Sequence, residues 1–213
     1  MSWNKAAFSE PDAPPAADGA RPHLRTIILG LVMLAGGGIA NYTLDYLTTY
    51  ASTTLGLSAG VALGATAVLG VFGTAVDPIG GMLSDRFGRK RVMMIPWALM
   101  CVAPIPVFLA ISHWRSAATL YGGAALLQVL LSIGAPAVLI AVTESLPRSV
   151  RAGAVALAYA LAMSVFGGST QFVIRWLLQT TGDPLCPAYY LTGFALVGLA
   201  AMTALPESAP ARR

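Results

Sequence analysis

Beyond residue 25 the chain turns apolar and stays so. Between residues 26 and 83 the only charged side chains are Asp45 and Asp77, a density that no solvated surface would tolerate over that length. Breaks rich in charge, Pro, Gly and small polar residues divide the remainder into six blocks, at 26–50, 57–83, 92–111, 117–143, 152–178 and 189–205. Each approaches or exceeds the ~20 apolar residues that cross a bilayer as a helix. The pattern predicts an all-α, polytopic membrane protein of six transmembrane helices, with a flexible cytosolic tail over 1–25, the bundle over 26–205 and a second cytosolic tail over 206–213. The first tail holds Pro11, Pro14, Pro15 and Pro22 among acidic residues and lacks the apolar core of a secretory signal.

Composition agrees: 56% of the 213 residues are hydrophobic and 10% charged, which excludes a water-soluble globule, disorder and a disulfide scaffold. The net charge of +4 matters less than its placement. With both termini in the cytosol, eleven of the thirteen Lys and Arg residues fall inside, leaving Arg115 in an outer loop and Arg175 in a span. That asymmetry predicts a multi-pass protein of the inner or plasma membrane. Trp114, Trp176, Tyr189 and Tyr190 are then expected at the outer interface and Trp97 nearer the inner one. Cys101 falls in the third span and Cys186 in the last outer loop, so no bridge joins them.

Between the second and third spans the chain reads Gly81-Met82-Leu83-Ser84-Asp85-Arg86-Phe87-Gly88-Arg89-Lys90. Gly81 would allow a neighbouring helix to approach closely, and Gly88 would permit a tight turn. Asp85 can face a helix N-terminus while the arginines pair with acids. This loop resembles the signature loop of the major facilitator superfamily, G-x-L-S-D-R-x-G-R-K, at every position. The segment from Glu144 through Pro147, Arg148 and Arg151 to Gly153 is similar to the corresponding loop in that superfamily's second half. Phe166-Gly167-Gly168, the outer loop ending Tyr189-Tyr190-Leu191, and Tyr46-Leu47-Thr48-Thr49-Tyr50-Ala51 resemble the metabolite:proton symporter family.

The resemblance covers residues 26–207 and implies a major-facilitator half bundle corresponding to the last six of twelve spans. It also implies proton-coupled transport of a small polar metabolite, an organic acid such as citrate, or proline or betaine, by alternating access. Gly81, Asp85, Arg86, Gly88, Arg89, Lys90, Glu144, Arg148 and Arg151 would then form a conformational latch. The implied partners are the lipid membrane, the substrate and protons, with a homodimer or a separately encoded N-terminal half completing the cavity. An incomplete half or a non-transporting subunit is the alternative. No nucleic acid, metal or cofactor beyond the proton gradient is expected.

If the fold carries over, the first and fourth spans line the cavity. Gln128 lies 11 residues into its span, about 17 Å deep at 1.5 Å per residue. Tyr121, Gln128 and Ser132 share a face, and a polar stripe at that depth needs either a ligand or an interhelical partner. Asn41, Asp45 and either Thr48 or Thr49 share a face of the first span. Asp45 is a proton or substrate group if it is deep, and an interfacial one if it is near the headgroups. Asp77 is expected to join the loop arginines or to bond backbone freed by Pro78, with proton uptake from the cavity as the other reading. Arg175, beside Trp176, is expected to snorkel to the outer interface, with carboxylate binding as its other role. Gly60 and Gly64 mark packing. An intramembrane serine protease is rejected because the only histidines, His23 and His113, fall outside the spans. The absence of a phosphate-binding loop argues against ATP-driven transport.

Overall fold

Local chemistry sets where each helix starts and stops. In the computed structural model, which describes residues 24–146 and 151–204, the second helix opens on Ser58, whose side chain accepts from the Val61 N–H. It closes at Gly88, where φ is +94°, a value that glycine adopts without a Cβ clash. The helix after the next loop begins at a reciprocal cap between Ser116 and Thr119, which satisfies two otherwise orphaned backbone donors.

In chain order the elements are α1 (Leu24–Thr53), α2 (Ala59–Phe87), α3 (Arg89–Met100), α4 (Pro104–Trp114), α5 (Ala117–Glu144), α6 (Arg151–Leu161), a π-helical turn (Ala162–Gly167), α7 (Gly168–Thr181) and α8 (Cys186–Ala204). No strand occurs among the described residues. Six segments are long and apolar enough to cross a membrane: α1, α2, α3 with α4, α5, α6 through α7, and α8. The chain is therefore an all-α, multi-pass membrane protein. The expected tails, except Leu24 and Arg25, lie outside the described residues, as does Arg148.

Two spans are interrupted where the sequence reading had them continuous. The third breaks into turn at 101–103 ahead of Pro104, which cannot donate a backbone hydrogen bond and so restarts a helix at its first turn. In the fifth, the π turn brings Met163 against α1 at Gly38, where an added Cβ would stand 3.2 Å from the Met163 Sδ. Cys186 opens α8 and is buried, with its thiol 3.0 Å from the Thr181 hydroxyl; it is helical, not part of the loop.

Close packing rests on missing side chains. Along the seam between α2 and α5, Gly64 meets Tyr121, Gly73 meets Gln128, and Gly80 meets the backbone of Ser132 and Ile133. Partner numbers rise together on the two helices, so these spans run in the same direction. The G-x-x-x-G expectation is half corrected, because Gly60 faces open space. Gly81 likewise touches no neighbour, and Gly80 is the residue that admits a helix. Trp97 is also corrected: it is 1% exposed and no interfacial anchor. Its indole occupies a slot made by Gly36, Gly134 and Gly198 of three different spans, where added Cβ atoms would lie 3.3, 3.5 and 2.7 Å away. Trp114, Trp176 and Tyr189 are exposed.

Candidate functional site

Side chains from α1, α2, α3, α5 and the fifth span line an open cavity of about 410 Å³. Its polar lining is Asn41, Asp77, Gln128 and Ser132, and Trp97 and Met163 form part of its apolar wall. The Gln128 Nε2 donates to the Ser132 Oγ at 3.1 Å, which fixes the amide and leaves its carbonyl oxygen to accept. Asn41 donates to Asp45 Oδ2 at 3.2 Å, one turn along α1. Asn41, Asp45 and Asp77 are all exposed on the bundle, although each lies within a membrane-crossing segment.

This grouping differs from the expected one in three ways. Tyr121 shares a helix face with Gln128, but α2 covers that face at Gly64, so the phenol packs in the seam and does not line the cavity. Thr48 turns to α2 and shares a 2.6 Å hydrogen bond with Thr66. Asp77 neither joins the arginines nor bonds freed backbone; it makes no hydrogen bond or ion pair among the described residues and lines the cavity. Asp77 lies eight residues before Asp85, about 12 Å of helix, and Arg89 already donates to closer acceptors on Glu144, Asp85 and Ser84. Trp97, Tyr159 and Met163 are lining residues that sequence reasoning did not pick out. Tyr159 and Met163 stand four apart, a spacing that would have put them on one face.

At one end of the bundle the loop residues form a network. The Arg89 guanidinium donates through Nε and Nη2 to both carboxylate oxygens of Glu144, at 3.3 and 3.1 Å. Nη1 donates to Asp85 Oδ1 and, at 3.2 Å, to the Ser84 hydroxyl. Such a two-pronged fit is the geometry that favours Arg over Lys, and it ties α2, α3 and α5 together. Lys90 donates to the Thr203 carbonyl at 3.4 Å near the end of α8. Arg151 donates twice to the Leu146 carbonyl, at 3.1 and 2.9 Å. Arg86 is exposed, its guanidinium 5.5 Å from the centre of the Phe87 ring. Asp85 pairs with Arg89 and is exposed over 69% of its side chain, against 14% for Arg89.

A sequence model of the sugar (and other) transporter family matches residues 17–210. A citrate-proton symporter of Klebsiella pneumoniae is 32% identical over 178 residues, covering 83% of this chain and 40% of that protein. An ectoine/proline transporter of Corynebacterium glutamicum is 30% identical over 191 residues, covering 88% and 37%. An alpha-ketoglutarate permease of Escherichia coli is 32% identical over 175 residues, covering 81% and 40%. The chain thus spans about two fifths of the length of these curated relatives.

Proposed function

This chain belongs to the sugar (and other) transporter family of the major facilitator superfamily, and on that footing we propose that it moves a small polar metabolite together with protons by alternating access. The substrate class is an organic acid such as citrate, or proline or betaine; the names of the relatives above give citrate, ectoine/proline and alpha-ketoglutarate. The membrane is the inner (plasma) membrane, with both termini in the cytoplasm, an orientation supported by the basic residues gathered at the Arg89 end.

One observation carries the reading: a cavity lined by Asn41, Asp77, Gln128 and Ser132, open on a bundle face that also exposes Asp45. Ionisable side chains at membrane depth are costly against lipid and belong against water or protein. We infer that this face meets a second six-span bundle, either another copy or a separate N-terminal half, with substrate held between the two. In this arrangement Asp77 and Asp45 carry protons, Gln128 and Asn41 hydrogen-bond the substrate, and the Arg89–Glu144–Asp85 network latches one conformation. The two-fifths coverage of the relatives supports a second reading, an incomplete half that transports only when complemented.

Uptake of labelled citrate and labelled betaine into proteoliposomes under an imposed proton gradient tests the proposal, first with this chain alone and then with a coexpressed six-span N-terminal half. Gradient-dependent uptake that falls at least tenfold in Asp77→Asn is the expected result. A folded, inserted chain that moves neither solute in either setting would overturn it.

A further inference from the structure

The end of the bundle opposite the Arg89 network holds a second recess, of about 310 Å³, between the last turns of α1 and α7. Two polar rows lead to it. On α1, Asn41, Asp45, Thr49 and Thr53 recur every four residues; on α7, Gln171, Arg175 and Gln179 do the same, and all seven side chains are exposed. A spacing of four keeps side chains on one inclined row. Asn41 lines the central cavity and Thr53 the recess, so the α1 row joins the two over about 18 Å of helix.

Charge in the recess is unbalanced. Arg175 is the one cation lining it, and among the described residues its guanidinium has neither an ion pair nor a hydrogen bond. The acids at this end face other partners: Asp45 accepts from Asn41, and Asp183 Oδ1 accepts from the Leu185 N–H at 2.8 Å. Tyr46 also lines the recess. It is only 5% exposed, and its hydroxyl makes no hydrogen bond among the described residues, whereas Tyr50 one turn on donates to the Pro184 carbonyl at 2.8 Å. The Tyr46 phenol, its ring packed in the bundle, and the unpaired Arg175 guanidinium thus present free donors to the same recess. What satisfies them is an anion with oxygens to accept from both. A carboxylate matches the two parallel N–H donors of an arginine, and Thr49 and Gln179 supply further donors.

We propose that Arg175, Tyr46, Thr49 and Gln179 form a capture site for carboxylate-bearing solutes, from which the α1 polar row leads to the central cavity. The site rests on the transport reading and deepens it by giving the place where a solute is first bound, and its test reads binding instead of uptake, so that the two fail separately.

Citrate is titrated calorimetrically onto the full chain in phosphatidylcholine nanodiscs at constant ionic strength, with sulfate as the control for unspecific charge. Citrate binds and sulfate does not. Arg175→Gln weakens citrate binding by about tenfold or more, the weight of a lost hydrogen bond to a charged group. Arg175→Lys, which keeps the charge but loses the fork, falls between, and Tyr46→Phe costs roughly threefold. The lysine variant carries the comparison if the glutamine variant does not fold. Unchanged citrate affinity in the Arg175 variants would leave the residue as an interfacial anchor beside Trp176 and overturn the proposal, as would equal binding of sulfate or no citrate binding by the unaltered chain.

Discussion

Arg89 engages two acids with different consequences. Glu144 is held by two parallel hydrogen bonds and is 34% exposed, while Asp85 is held on one side only and is 69% exposed. Removing charge from Glu144 leaves a largely enclosed guanidinium facing a neutral amide. Glu144→Gln is therefore expected to lower stability by about 1 kcal/mol, the value of a charge-assisted hydrogen bond discounted for partial solvent screening, measured by thermal unfolding in detergent. Asp85→Asn should leave unfolding and membrane insertion unchanged and slow gradient-driven uptake. Normal uptake in that variant would remove Asp85 from the latch.

Helix contacts depend on which residues lack a side chain. A Cβ on Gly80 would stand 2.5 Å from the Ser132 carbonyl oxygen, backbone that cannot swing aside, whereas one on Gly60 meets nothing within 4 Å. Gly80→Ala should cost roughly 1–3 kcal/mol by forcing α2 off α5. Gly60→Ala should be neutral or stabilising by up to about 1 kcal/mol through helix propensity. Paired thermal melts separate the two. Apolar length between polar breaks made the six spans legible, because crossing a bilayer demands it, and the ends moved by only a few residues. Helical periodicity also put Gln128 beside Ser132, since i and i+4 meet on any helix. Spacing alone does not say what covers a face. Tyr121 lies under α2, and Trp97 is enclosed by glycines at 36, 134 and 198, positions related only by the fold. The π turn was equally hidden: the Met163–Gly38 contact that accompanies it joins residues far apart in the sequence.

For the molecule as a whole, the second and fifth spans are the least enclosed of the six, and the exposed Asp45, Asp77, Gln171 and Arg175 lie on α1, α2 and α7. Single cysteines introduced at Asp77 and Gln171 should react with a water-soluble maleimide in the isolated chain once Cys101 and Cys186 have been replaced. Labelling should fall several-fold when a second bundle is coexpressed; unchanged labelling would place these residues outside the shared face. The seam between α2 and α5 also bears on how the protein is made. Its two halves leave the ribosome in sequence, with all of α3 and α4 emerging between them. Until the fourth span enters the bilayer, Gly64, Gly73 and Gly80 therefore have no surface to close against. The second span, carrying Asp77 and Pro78, has only its earlier neighbours to pack on until then, and the bundle's tightest joint cannot form before the fourth of the six spans is made.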